Sequence, residues 1–174
     1  MKVVVLGGGA WGTALALTSL RGGNQTTFWM RDPEAVSAVN ERHENPGYLP
    51  GIALDPELSA TNALDAALDG ADLVLAVAPA QALRELSSHL VGRVRADVPV
   101  VICAKGIERS SGKRLSEIVR EILPGNPPAA LSGPSFATDV ARGLPTAVTV
   151  AAEDAGLAAS LARHLSAPQF RCYS

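Results

Sequence analysis

The sequence predicts an α/β fold in which a mostly parallel, doubly wound sheet carries helices on both faces. Short runs of β-branched and aliphatic residues alternate with helix-like segments along the whole chain, and this alternation is typical of parallel strands joined by crossover helices. Several of the runs are apolar throughout, as strands are when both faces of their sheet are covered. Because 174 residues correspond to about one domain, we expect a single domain over residues 1–174.

The first predicted unit is a strand, a helix and a second strand. Residues 2–6 form a β-branched run that stops at Gly7, and residues 10–20 are densely apolar or small without a proline. The glycine pair at 22–23 ends this helix, because glycine tolerates the left-handed conformation of a helix terminus. The β-branched and aromatic residues 26–30 then predict the second strand.

The same alternation continues to the end of the chain. Asp32 and Pro33 have the N-cap and first-turn pattern of a helix over residues 34–44. Thr61 or Asn62 is expected to cap a short helix before the next strand. Apolar runs predict the remaining strands over residues 73–77, 98–104, 129–132, 147–152 and 169–173. Apolar side chains at helical spacing predict the remaining helices over residues 81–91 and 113–123 and after the capping residue Asp154.

Composition and charge exclude several classes of protein. Hydrophobic residues make up 47% of the chain and charged residues 18%, which argues against a disordered protein. The 15 Lys and Arg residues face 17 Asp and Glu residues, so no basic field exists to bind nucleic acid. Two cysteines are too few for a disulfide scaffold, and the histidines lack the spacing of metal ligands. The apolar run at residues 3–6 is too short for a signal peptide or a membrane span, so we expect a cytoplasmic protein without membrane insertion.

The carboxyl end of the first strand carries the motif G-x-G-x-x-G, and ligands of parallel sheets bind beyond such strand ends. In this motif Gly7 makes a tight turn, Gly9 lets the backbone approach a pyrophosphate, and Gly12 lets helix and strand pack closely. The N-terminus of the helix, which begins at Ala10, favours an anion. Trp11 fits two roles equally well, as a core anchor or as a flap beside the phosphates. The motif and its context of strand, helix and strand predict a Rossmann-like fold that binds a dinucleotide.

The second strand ends at an arginine and an acid. Asp32 lies near the place where an acid would meet the ribose 2′-hydroxyl of NAD, and Arg31 could pair with the 2′-phosphate of NADP. The pair therefore predicts tolerance of both cofactors. In the alternative interpretation, Asp32 only caps the next helix and Arg31 is a solvated charge.

Two further strand ends carry groups suited to a polar ligand. Lys105 directly follows an apolar strand, where its ammonium could bind a phosphate or polarise an oxygen. The alternative is a surface lysine that packs its stem on apolar neighbours. Gly133 and Ser135 follow a shorter strand and precede a helix, so free backbone N–H groups and the serine hydroxyl would suit a small polar or phosphorylated ligand.

Five segments carry a further pattern: GGGAWGTALA at 7–16, NPGYLPG at 45–51, CAKGIE at 103–108, LSGPSFA at 131–137 and ARGLPT at 141–146. In this order they resemble the bacterial NAD(P)-dependent glycerol-3-phosphate dehydrogenases. The resemblance implies an oxidoreductase that uses NAD or NADP to interconvert sn-glycerol 3-phosphate and dihydroxyacetone phosphate for glycerophospholipid synthesis.

Carried over by position, the resemblance also implies roles for individual residues. Those expected to contact the cofactor, besides the glycine motif, are Trp11, Arg31, Tyr48, Lys105 and Ala137. Those expected to contact the phosphorylated substrate are Lys105, Gly133 and Ser135. Ala10 stands where the family often has a serine, so one hydrogen bond to the pyrophosphate is in question.

The family that this sequence resembles continues into an all-helical second domain with the catalytic lysine. We therefore expect residues 1–174 to form the NAD(P)-binding domain, assign none of them as general base, and expect no turnover from this chain alone. A homodimer is one candidate assembly for the full-length protein. Two alternatives stay open: a free-standing dinucleotide-sensing module, and a related two-domain dehydrogenase acting on another hydroxy or keto acid.

Overall fold

The computed structural model describes residues 1–174 and contains one sheet of eight strands. The strands are β1 (Lys2–Leu6), β2 (Gln25–Trp29), β3 (Ser59–Thr61), β4 (Leu73–Ala76), β5 (Val100–Ile102), β6 (Pro128–Ser132), β7 (Thr146–Ala152) and β8 (Phe170–Tyr173). The helices are α1 (Ala10–Arg21), α2 (Pro33–Arg42), α3 (Leu64–Leu68), α4 (Leu83–Leu90), α5 (Leu115–Ile122), α6 (Ala137–Ala141) and α7 (Ala155–Leu165). A 3-10 turn, Ala80–Ala82, precedes α4.

The strands are ordered β3-β2-β1-β4-β5-β6-β7-β8 across the sheet. Every neighbouring pair is parallel except β6 and β7. The chain starts with β1 in the interior of the sheet, adds β2 and β3 on one side, and then adds β4 to β8 on the other. This reversal creates a switch point between β1 and β4, where ligands of doubly wound sheets bind. The predicted fold class is confirmed.

Apolar layers cover the sheet on both faces. Val3 and Val5 of β1 belong to one core cluster, Val4 and Leu6 belong to another, and all four are fully buried. Helices α1, α2, α6 and α7 contribute to the first cluster, and α3, α4 and α5 contribute to the second. Burial on both sides explains why β1 is apolar along its whole length. No helix in the structure combines the length and the apolar character needed to cross a membrane.

Both cysteines lie in the larger of these two clusters, as free thiols. Desolvation raises the pKa of the Cys103 thiol, and it raises the pKa of Cys172 to about 11. Both groups therefore stay protonated at neutral pH and act as small packing side chains.

The structure corrects two details between β2 and β4. The three-residue strand β3 was not predicted, because a run this short has almost no periodic signal. Its Ala60 is held at the sheet edge by Asn40, whose side chain donates to the Ala60 carbonyl at 2.9 Å and accepts from its N–H at 2.8 Å. The predicted cap of α3 is also wrong: the N-cap residue is Ala63 without a side-chain bond, while Thr61 Oγ1 accepts from the Ala63 N–H.

Candidate functional site

The glycine motif forms a tight loop between β1 and α1. Gly7 has a φ of +131°, and a Cβ there would lie 2.6 Å from the Val77 carbonyl oxygen at the end of β4. A Cβ at Gly12 would lie 1.8 Å from the Gly7 carbonyl oxygen, so only glycine allows helix and strand to approach this closely. Gly9 differs from both, because a Cβ there would meet no atom within 4 Å. The backbone of the loop is therefore closely packed against the protein at Gly7 and Gly12, and it is open to a ligand at Gly9.

The open side of this loop is also the N-terminus of α1. Gly9 is the N-cap residue, no side chain caps the helix, and the first turn holds no acidic residue. The first N–H groups of a helix have no partner within it, and the helix dipole adds a partial positive charge there. Open space, unpaired donors and this dipole together fit a pyrophosphate. Trp11 is half-buried and packs against the larger core cluster, so its ring lies at the border between core and loop.

The end of β2 adjoins the same loop. A Cβ at Gly8 would lie 2.9 Å from the Met30 Cε atom, which places the residues after β2 beside the glycines. Asp32 Oδ1 accepts a hydrogen bond from the Glu34 N–H at 2.9 Å, so the predicted N-cap of α2 is confirmed. Arg31 is exposed. The capping bond occupies one carboxylate oxygen of Asp32, and the carboxylate retains further acceptor sites for a ribose hydroxyl.

The structure brings together the two segments that were predicted to bind substrate. The Lys105 Nζ atom donates to the Gly133 carbonyl oxygen at 3.0 Å, which joins the residues after β5 to those after β6. A Cβ at Gly133 would lie 2.9 Å from the Val148 Cγ1 atom, so close packing against β7 requires glycine here. Ser135 is half-buried on the same segment. Lys105 is exposed, as a surface lysine would be, but its ammonium is directed to the backbone that follows β6.

A buried acid holds the loop that carries Lys105. Glu108 is 5% exposed, and its carboxylate accepts from Arg84 Nε at 2.8 Å and from Arg84 Nη2 at 3.0 Å. The Ser111 hydroxyl donates to the same carboxylate. The hydrogen bonds from Arg84 and then from Ser111 lower the pKa of Glu108 to about 2, and those from Arg84 to Glu108 and Glu121 raise the pKa of Arg84. Sequence reasoning gave Glu108 no role, because its partner lies on another element.

A neighbouring glutamine fixes the same loop through its backbone. Gln81 Nε2 donates to the Ile107 carbonyl oxygen at 2.9 Å, and Gln81 Oε1 accepts from the Arg109 N–H at 3.0 Å. The segment after Lys105 is therefore held by two side chains, Arg84 of α4 and Gln81 of the turn before it.

A second residue without a predicted role lies behind the glycine loop. Asn45 is 1% exposed, and its Nδ2 atom donates to the Gly8 carbonyl oxygen at 3.0 Å and to Thr13 Oγ1 at 2.8 Å. The following turn carries Tyr48, which is 60% exposed. Ala137, predicted to contact the cofactor, is the first residue of α6 and packs partly against the larger core cluster.

Two surface cavities lie elsewhere on the molecule. Both include residues near the start of β7 and in the connection from α7 to β8, and one of them is also lined by Thr18 and Arg21 of α1 and Val140 of α6. Neither contains a predicted site residue. The glycine loop, in contrast, lies at the carboxyl ends of the neighbouring strands β1, β2 and β4.

Comparison with known proteins agrees with this geometry. The family model described as NAD-dependent glycerol-3-phosphate dehydrogenase N-terminus matches residues 2–158. A glycerol-3-phosphate dehydrogenase (NAD(P)+) of Mesorhizobium japonicum is 60% identical over 173 residues, covering 99% of this chain and 50% of the relative. The enzyme of the same name from a Chelativorans species is 57% identical over 172 residues, covering 99% of this chain and 53% of the relative.

A solved structure shows the same architecture. The glycerol-3-phosphate dehydrogenase of Coxiella burnetii superposes with a TM-score of 0.91 at 34% identity, covering 99% of this chain and 53% of that one. The chain spans about half the length of the curated relatives it matches. The family expected from the sequence motifs is confirmed, and the chain belongs to the NAD-dependent glycerol-3-phosphate dehydrogenase family, in the part described as its N-terminus.

Proposed function

We propose that this chain is the NAD(P)-binding domain of a dehydrogenase that interconverts sn-glycerol 3-phosphate and dihydroxyacetone phosphate. The observation that carries the proposal is the open backbone at Gly9, at the N-terminus of α1 and at the switch point of the sheet. The names of the relatives support the cofactor and the substrate.

The cofactor would lie along the edge formed by the ends of β1 and β2. Backbone N–H groups of the first turn of α1 bind the pyrophosphate, with Trp11 beside them. Arg31 and Asp32 lie at the adenosine end, where the arginine accepts a 2′-phosphate and the acid a 2′-hydroxyl. Tyr48, Lys105 and Ala137 complete the set of proposed cofactor contacts.

The substrate would lie where the ends of β5 and β6 meet. A bound nicotinamide ring supplies or accepts the hydride. The Lys105 side chain lies at this edge and binds an oxygen of the substrate, and the segment from Gly133 to Ser135 adds backbone and hydroxyl donors. We assign the proton transfer to no residue of this chain, so we expect binding of cofactor without turnover.

The proposal extends to the partners of the protein and to its cellular compartment. A formal charge of −2 provides no basic surface for nucleic acid, and two free, buried cysteines suit a reducing cytoplasm. The proposal that the full-length protein is a homodimer rests on the family resemblance alone.

Cofactor titration combined with an activity assay tests this function. The 174-residue chain is titrated with NADH and with NADPH while nicotinamide fluorescence is followed, and dihydroxyacetone phosphate is then added. We expect saturable binding and no steady oxidation of the cofactor. Failure of both cofactors to bind would overturn the cofactor role, and steady oxidation would overturn the assignment of proton transfer outside this chain.

A further inference from the structure

We propose that Asn45 is a positioning residue that fixes the glycine loop in its pyrophosphate-binding form and ties this loop to the turn that carries Tyr48. The proposal deepens the proposed function and rests on it. Asn45 would not touch the reacting atoms, and it would act through the backbone of Gly8 and Gly9.

The side chain of Asn45 holds the Gly8 carbonyl directly and also holds the Thr13 hydroxyl that binds the Gly9 carbonyl. Nδ2 donates one hydrogen to the Gly8 carbonyl oxygen at 3.0 Å and the other to Thr13 Oγ1 at 2.8 Å. Thr13 Oγ1 in turn donates to the Gly9 carbonyl oxygen at 2.9 Å. Both amide hydrogens of Asn45 are used, and one chain of hydrogen bonds ends on both carbonyls.

Fixing these carbonyls also fixes the N–H groups that follow them. A trans peptide is planar, and its C=O and N–H point in opposite directions. Because the Gly8 carbonyl is held toward Asn45, the Gly9 N–H is held on the opposite side of that peptide. In the same way, the Gly9 carbonyl accepts from the Thr13 hydroxyl at 2.9 Å and from the Thr13 N–H at 3.0 Å, and these two bonds set the direction of the Ala10 N–H. These two N–H groups belong to the open loop at the start of α1.

The backbone of Asn45 holds the turn that carries Tyr48. Its carbonyl oxygen accepts from the Tyr48 N–H at 3.2 Å and from the Leu49 N–H at 2.8 Å, which closes the turn that presents the exposed tyrosine. Leu49 is 3% exposed and anchors this turn in the larger core cluster. Asn45 therefore holds the backbone of both the glycine loop and the turn that carries Tyr48.

A glycine-rich loop needs such support more than other segments do. Glycine loses more conformational entropy on ordering than any other residue, so an unsupported loop would pay this cost when it binds its ligand. A buried amide is tolerated only when its hydrogen bonds are made. The distance of 32 residues between Asn45 and Thr13 shows that tertiary packing, and not local sequence, makes the contact.

Paired variants separate this role from a general contribution to stability. Asn45→Ala removes the two hydrogen bonds donated by Nδ2 and leaves the one from Thr13 Oγ1 to Gly9, whereas Thr13→Val removes the hydroxyl and both of its hydrogen bonds. The matched control is Asn24→Ala, since Asn24 is 7% exposed and its Nδ2 atom also donates to two backbone carbonyls, of Ser19 and His164. For each variant, dissociation constants for ADP-ribose, which contains a pyrophosphate, and for 5′-AMP, which does not, are measured with the unfolding midpoint.

We expect Asn45→Ala and Thr13→Val to weaken ADP-ribose binding about tenfold, as the loss of one or two hydrogen bonds implies, and 5′-AMP binding less than about twofold. Thr13→Ser should recover most of the affinity lost in Thr13→Val. Asn24→Ala should lower the unfolding midpoint without this selective loss. Unchanged ADP-ribose affinity in both site variants would overturn the proposal, as would an equal loss for both ligands. A wild-type chain that binds no ADP-ribose would overturn the proposed function itself.

Discussion

Replacing Gly9 by alanine tests the pyrophosphate cradle with the smallest possible change. The free protein has room for the methyl group, since a Cβ at Gly9 meets no atom within 4 Å. The backbone also allows it, because φ is −73° and ψ is 178° at this residue. The added methyl group would lie where the proposed pyrophosphate approaches the backbone, and not in the folded core.

The two effects of this substitution differ in size. Alanine is a weaker N-cap than glycine, so the free energy of unfolding should fall by about 1 kcal/mol or less. A phosphate that is pushed away loses about two charge-assisted hydrogen bonds of about 1.5 kcal/mol each. The sum of about 3 kcal/mol corresponds to a dissociation constant raised about 100-fold.

The assay is a fluorescence titration of the 174-residue chain with NADH, accompanied by denaturant unfolding. Gly125→Ala is the control, because a Cβ there would approach only Ala96, at 3.3 Å, and Gly125 precedes β6, away from the strand ends where the cofactor is proposed to bind. We expect the control to keep wild-type affinity and Gly9→Ala to lose nearly all of it while both remain folded. Equal NADH affinities for Gly9→Ala and the wild type would refute the reasoning.

Three further predictions follow from the same geometry. Gly12→Ala should lower the free energy of unfolding by at least about 3 kcal/mol in urea denaturation, because its Cβ would lie 1.8 Å from a backbone oxygen; a loss below about 1 kcal/mol would contradict the packing of α1. Arg31→Ala should weaken NADPH about tenfold more than NADH in parallel titrations, as loss of a charged hydrogen bond implies, whereas the exposed Arg163→Ala should affect neither; equal losses for both cofactors would reject a contact between Arg31 and the 2′-phosphate. The pKa of Glu108 is lowered from its usual 4.5 to about 2, so the folded state favours the carboxylate and its contribution to stability is fully present above pH 4.5. The difference in unfolding free energy between the wild type and Glu108→Gln should therefore shrink as the pH falls from 4.5 toward 2, and a difference independent of pH would contradict the ion pair with Arg84.

Local signals in the sequence predict much of this fold. The first strand and helix are predicted by the β-branched run of β1, the glycines after it and the apolar residues of α1. The predicted N-cap residues Asp32 and Asp154 are both present. Each of these features depends on residues within a few positions of each other. The short strand β3 has too few residues for a periodic pattern, and its place is set by pairing with β2 and by the side chain of Asn40.

In the candidate site, too, some residues are predicted by the local sequence and others are identified only by the fold. The sequence predicted the glycine loop and placed Lys105 and the Gly133 segment at one edge, since the carboxyl ends of parallel strands lie together. It did not predict the side chains that support them. Glu108 meets Arg84 across 24 residues, and Asn45 meets the glycine loop across 37, so only the folded chain shows these contacts. A buried asparagine and one in a solvated turn look alike in a sequence.

Amide NMR spectra of the 174-residue chain, recorded with increasing NADH, test the central claim most directly. The claim is that the cofactor binds at the start of α1, with its pyrophosphate on the backbone of the glycine loop. We predict that the amide resonances of Gly9, Ala10 and Trp11 shift first and most, followed by those after β2. The claim would be contradicted if the largest shifts fell on residues of the cavity near the start of β7, such as Thr146, Gln169 and Arg171, while the glycine loop stayed unchanged.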